Sequence, residues 1–201
     1  MTGPAVAIID SGGANIASLL YAFERLGVTP SLTTDQDQIR SAERVLLPGV
    51  GAARDAMSRL RDLDLVDVIR GLEQPVLGIC LGMQLLAEAS EEEDVECLGV
   101  IPGIAAKLPA TTSCPVPNMG WCAVEQAGPH PVLHAIDNGS YFYFVHSYAL
   151  PVSDFTLATA SHAEPFSAMI SRDNFVAAQF HPERSSSAGS QMLRNFIGLS
   201  P

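Results

Sequence analysis

The sequence has 201 residues, 47% hydrophobic and 16% charged, with a formal net charge of −11. That length suits one domain with a full hydrophobic core, and the acidic balance, with Lys107 as the only lysine, argues against a nucleic-acid or anionic-membrane binder. No apolar run reaches membrane-spanning length, and Cys80, Cys97, Cys114 and Cys122 show neither C-x-x-C spacing nor a disulfide framework, as expected of reduced thiols in the cytoplasm.

Met1-Thr2-Gly3-Pro4 lacks a basic leader, and the apolar run Ala5 to Ile9 reads as a first central parallel strand. Asp10-Ser11-Gly12-Gly13-Ala14-Asn15 reads as a βα turn; the G-x-G-x-x-G spacing of a phosphate loop is absent. Ile16, Leu19, Leu20 and Phe23 recur at helical spacing up to Gly27. A short strand near 31–33, a polar helix opened by Asp35, and a strand at 45–47 follow. The last of these ends in Pro48-Gly49-Val50-Gly51, a small-residue loop at the sheet edge where open α/β folds place ligands. Helical patterns cover 52–60 and 62–72. The alternation predicts an α/β fold, with an open, mostly parallel, doubly wound sheet.

Val76 to Ile79 is a buried-type strand that stops at Cys80, and 81–89 reads as a helix. Gly78 and Gly82 bracket the cysteine in the Gly-x-nucleophile-x-Gly pattern of a strand–turn–helix elbow, with the Leu81 N–H as a first oxyanion donor. A buried, inert thiol is the bland alternative. The acidic stretch Glu91-Glu92-Glu93-Asp94 reads as a solvated loop, because it lacks alternating cation ligands. Residues 97–126 read as short edge strands, with Trp121 in a position usual for core but also common at interfaces. Aromatic residues 141–148 and the segments 155–160, 166–171 and 175–180 add antiparallel or mixed strands, the last pair joined at Asp173-Asn174. Ser185 to Ser187 offer helix N-caps, and Met192, Leu193, Phe196 and Ile197 stripe a closing helix. No linker or repeat appears, so residues 1–201 read as a single domain.

The strand ending at Phe180 runs into His181-Pro182-Glu183. Pro182 favours an extended His181, which puts the imidazole and the Glu183 carboxylate on one face. That is the base and orienter half of a nucleophilic triad. His130, His134 and His162 read as surface residues and His146 as a satisfied core histidine. No third ligand suggests a metal.

Gly78-Ile79-Cys80-Leu81-Gly82-Met83-Gln84 and Gln179-Phe180-His181-Pro182-Glu183 resemble the two signatures of class I, triad-type glutamine amidotransferases. Within that class, Pro48-Gly49-Val50-Gly51, Met119-Gly120-Trp121 and 143–148 look like the glutaminase subunits of imidazole glycerol phosphate synthases. The resemblance implies a flavodoxin-like fold and hydrolysis of L-glutamine by Cys80, His181 and Glu183. It implies an oxyanion hole at Gly51 and Leu81, and a glutamine site at Gly51, Gln84, Ser147 and Tyr148. It implies no cofactor and no metal. The ammonia would pass to a β/α-barrel cyclase partner in a cytoplasmic heterodimer of histidine biosynthesis. Ser11, Ala14, Ala53, Asn118 and Cys122 depart from the usual residues, which bears on the partner face more than on hydrolysis. Two other readings stay open: a glutaminase serving another synthase, such as pyridoxal phosphate synthase, or a catalytically silent partner-binding module.

Overall fold

A computed structural model describes residues 4–12 and 16–200. In chain order the first half contains β1 (Val6–Ile9), α1 (Ile16–Glu24), β2 (Ser31–Thr33), α2 (Gln36–Ser41), β3 (Arg44–Gly49), α3 (Ala53–Asp62), α4 (Val66–Arg70), β4 (Val76–Cys80) and α5 (Leu81–Leu86). The second half is almost all strand: β5 (Ala89–Ser90), β6 (Val95–Glu96), β7 (Ile104–Lys107), β8 (Asn118–Gln126), β9 (Ser140–His146), β10 (Tyr148–Ala149), β11 (Thr156–His162), β12 (Glu164–Arg172) and β13 (Phe175–Ala178), closed by α6 (Ser186–Ile197). Gly13, Ala14 and Asn15 of the first βα turn lie outside the described residues.

Nine strands form one mixed sheet in the order β2-β1-β3-β4-β13-β12-β11-β8-β9, and β10-β7-β5-β6 form a second, smaller sheet. The α/β class is as expected. The pairings from β2 through to β13 are parallel and those from β13 through to β9 antiparallel, so the antiparallel half matches the parallel half in extent.

The inner parallel strands β1, β3 and β4 are buried on both faces, which is why they read as apolar runs. Val6 and Ile8 pack with Phe23 of α1 and with Met192, Leu193 and Phe196 of α6. Ala7 and Ile9, pointing the other way, join Ile39 of α2, Met57 and Leu60 of α3, and Val68 and Ile69 of α4. Asp35 caps α2 by accepting the Gln38 N–H at 2.8 Å. The β12–β13 turn falls at Asp173-Asn174 as read from the sequence, with Asp173 at φ 52° and Arg172 paired to Phe175.

Three expectations need correcting. The helix after Cys80 stops at Leu86, and Ala89–Ser90 is a strand. The carbonyls of Leu85, Leu86 and Ala87 accept N–H groups from Leu98, Val100, Ile101 and Gly99, so a folded-back loop takes the bonds that a longer helix would have used. Ser185 is the N-cap of α6 but makes no side-chain cap bond; its hydroxyl is engaged elsewhere. Trp121 is not core: it is half exposed, on the outer face of β8 beside Met119 and across from Tyr143 of β9, with Tyr141 on the same face. No helix among the described residues is long and apolar enough to cross a membrane.

Candidate active site

Parallel register builds the site. Gly49 at the end of β3 pairs with Cys80 at the end of β4, and Ala178 of β13 pairs with Ile79. The loop after Gly49, the cysteine and the segment 179–181 therefore meet at the carboxyl edge of the sheet, where such folds bind ligands. Cys80 sits at φ 54°, ψ −110°, a conformation that L residues avoid. The turn is held by close backbone approach: a Cβ on Gly82 would stand 1.7 Å from the Leu47 carbonyl oxygen. The Cys80 Sγ lies 3.8 Å from the Val145 carbonyl oxygen and 3.9 Å from Gln179 Nε2, at the N-terminus of α5.

His181 follows β13 and is pinned at both ends of its backbone. Its N–H donates to the Tyr143 carbonyl at 2.9 Å, and its own carbonyl accepts the Ser185 hydroxyl at 2.6 Å. Glu183 is in a 3-10 turn, Pro182–Arg184, rather than the extended segment expected. The turn still brings its Oε1 to 2.9 Å from His181 Nδ1, with both side chains buried. It is clamped from behind by α6, since a Cβ on Gly189 would stand 2.1 Å from the Pro182 carbonyl oxygen. Burial alone pulls the His181 pKa down. Attraction to the nearby Cys80 sulfur and to the hydrogen-bonded Glu183 carboxylate outweighs it and raises the pKa from 6.5 to about 10. The His181 Nε2 has no hydrogen-bond partner and lines the same cavity as the Cys80 thiol.

A cavity of about 280 Å³ opens over the thiol. It is lined by Gly51, Cys80, Leu81, Gln84, Ser147, Tyr148 and His181, so every candidate site residue reaches it except Glu183, which stands behind the imidazole. Gln84 Nε2 donates to the Tyr148 carbonyl at 2.9 Å and to Gln179 Oε1 at 3.1 Å, which leaves its oxygen as the free acceptor. Val50, Pro117, Val145 and the buried His146 complete the wall.

Three residues that the sequence reading passed over are built into this site. Glu92, read as part of a solvated loop, lines the cavity; its Oε2 accepts the first N–H of α3, from Ala53, at 3.1 Å. Neighbouring Glu88 and Glu91 likewise accept the N–H groups of Gly103 and Lys107. Gln179, fully buried, links Gln84 to the thiol. Ser185 ties His181 to β9, accepting the Tyr143 N–H at 3.0 Å. Only Gln179 carried a local signal, as the first residue of the histidine signature.

A strained cysteine at a strand–helix elbow, a buried imidazole against it and a carboxylate behind make a Cys–His–Glu geometry on a mixed α/β sheet. A sequence model of the family described as glutamine amidotransferase class-I matches residues 7–199, and the chain belongs to that family. Among individual proteins, it is 46% identical over 200 residues to the imidazole glycerol phosphate synthase subunit HisH of Vibrio cholerae, an alignment covering 96% of this chain and 98% of that one. It is 47% identical over 194 residues to the subunit HisH 2 of Legionella pneumophila, with 96% and 98% covered. The fold matches that of a glutamine amidotransferase at TM-score 0.74 and 16% identity, covering 97% of this chain and all of the other. It also matches PurLQS from Thermotoga maritima at TM-score 0.72 and 18% identity, with 98% and 99% covered.

Proposed function

We propose that this chain is the glutaminase subunit of an imidazole glycerol phosphate synthase, a single domain over 1–201 working as a cytoplasmic heterodimer with a β/α-barrel cyclase. Cys80 and His181 on one cavity, with Glu183 behind the imidazole, carry the reading. The names of relatives alike over nearly their whole length support the subunit assignment.

In this reading the Cys80 thiolate, paired with the His181 imidazolium, attacks the side-chain amide carbon of glutamine. The carbonyl electrons move onto oxygen, stabilised by the Leu81 and Gly51 N–H groups, each typically worth about 2.7–4 kcal/mol of barrier. His181 gives its Nε2 proton to the departing nitrogen, and ammonia leaves a γ-glutamyl thioester. Acylation removes the thiolate charge that helped to hold the imidazole protonated, so His181 becomes the base for the water that hydrolyses the thioester. Glu183 keeps the ring oriented throughout. Gly51, Gln84, Ser147 and Tyr148 hold the glutamine, and Glu92, the one carboxylate among the described residues of the cavity lining, suits its α-ammonium group.

The apolar strip of Met119, Trp121 and Tyr141, 65%, 50% and 62% exposed, suits a partner that covers the outer face of β8 and β9. The test is to assay ammonia release by the chain alone and with the cyclase and its phosphorylated ribulosyl substrate. The proposal expects weak hydrolysis alone and strong stimulation in the complex. Cys80→Ala should end glutamine-dependent synthesis while synthesis from added ammonia survives. Loss of both activities together would contradict the division of labour.

A further inference from the structure

His146 is a buried polar group that the hydrolysis just described leaves unused, yet its surroundings fix every hydrogen around it. The Tyr148 carbonyl can only accept, and it lies 2.9 Å from His146 Nδ1, so Nδ1 carries the hydrogen. The ring is packed against Phe144 and Phe166, with His162 and His181 as the charge-bearing neighbours; burial, the largest influence, lowers its pKa to about 4, so it is neutral. Nε2 is then a bare acceptor, and the partner at 3.1 Å is the Asn118 amide nitrogen, directly opposite in the β8–β9 register. Orienting that amide toward His146 turns the Asn118 oxygen to the Cys122 thiol, 3.7 Å away. On the far side the Tyr148 carbonyl takes its second hydrogen bond from Gln84, which is joined through Gln179 to the Cys80 sulfur. Donors and acceptors match without conflict along the whole path, and Asn118, His146, Gln84 and Gln179 are all nearly or fully buried.

We propose that Asn118 and His146 are positioning residues for glutamine hydrolysis: Asn118 donates to His146 Nε2 and holds the ring in the tautomer that the Tyr148 carbonyl requires, and His146, together with Gln84, holds that carbonyl and so the Ser147–Tyr148 wall of the cavity. The inference rests on the glutaminase reading of the site. An apolar pair would fill the same space, but it would leave the Tyr148 carbonyl with one bond and the wall free to shift.

Three variants in the complex with the cyclase test it. Asn118→Leu keeps the volume and removes the donor; its KM for glutamine should rise about tenfold, with kcat changed less. Asn118→His keeps an N–H donor and should restore kcat/KM to within about threefold of the parent. Asn118→Asp can only accept, so it draws a proton onto His146 Nε2 and should give glutamine hydrolysis a new titration near neutral pH. Ammonia-dependent synthesis and the thermal melt check that each variant folds and assembles. Independently of activity, 15N NMR of histidine-labelled protein should read His146 as protonated on Nδ1 and bare on Nε2 between about pH 6 and pH 9. A proton on Nε2, or a folded Asn118→Leu variant with unchanged KM and kcat, would overturn the proposal. Absence of any ammonia release by the parent complex would instead strike the glutaminase reading, while the NMR result would still decide the tautomer.

Discussion

Replacing Glu183 by Gln removes one charge and almost no volume, which isolates the orienting carboxylate. The His181 pKa, raised from 6.5 to about 10, corresponds to roughly 5 kcal/mol of preference for the cation. Cys80 and Glu183 both contribute to that preference, and a buried hydrogen bond to a charged group is typically worth about 2 kcal/mol. The sign follows from linkage: a raised folded-state pKa stabilises the protein fully below about pH 6.5 and stops doing so as pH climbs through about 10. Urea unfolding of Glu183→Gln at pH 7 should therefore show a loss of about 2 kcal/mol, and the gap between variant and parent should narrow toward pH 10. The amide can also present its NH2 to Nδ1, which moves the ring hydrogen to Nε2 and blocks proton acceptance there. The kcat for glutamine hydrolysis in the complex should fall by about 10²–10⁴-fold with little change in KM. A kcat within threefold of the parent, or a stability difference that grows with pH, would refute the reasoning.

Gly82→Ala drives a methyl group into the Leu47 carbonyl, which backbone cannot relieve without opening the β3–α5 contact. It should cost about 3 kcal/mol or more in urea unfolding and abolish hydrolysis. Glu92→Gln should raise KM for glutamine about tenfold or more, with a smaller effect on kcat, if the carboxylate receives the substrate ammonium; steady-state kinetics read this directly. Trp121→Ala, on the exposed strip of β8, should weaken binding to the cyclase about 30-fold by calorimetry, without altering the melting temperature of the free chain.

What the sequence disclosed had local causes. The elbow is legible because Gly78, Cys80 and Gly82 sit where a sharp strand–helix turn demands small neighbours. The pairing of His181 with Glu183 is legible because only Pro182 separates them, though a 3-10 turn and not an extended segment makes the contact. The parallel core shows in its unbroken apolar runs. The rest depends on register between distant segments. Nothing in Glu91-Glu92-Glu93-Asp94 marks Glu92 from its neighbours; only the β5–β6 turn, folded over the start of α3, brings it to the cavity. The end of α5 at Leu86 is set by N–H groups more than ten residues later in the chain. Trp121 is exposed because β8 turns its apolar alternate residues away from the core, which no count of aromatic residues reveals.

The most direct test is acid quenching of the complex during glutamine turnover, followed by intact-protein and peptide mass spectrometry. A single γ-glutamyl group on the peptide bearing Cys80, more abundant in a variant slowed at His181, is the expected result. Continued ammonia release with no adduct on that peptide, or with the glutamyl group on another residue, would contradict the account.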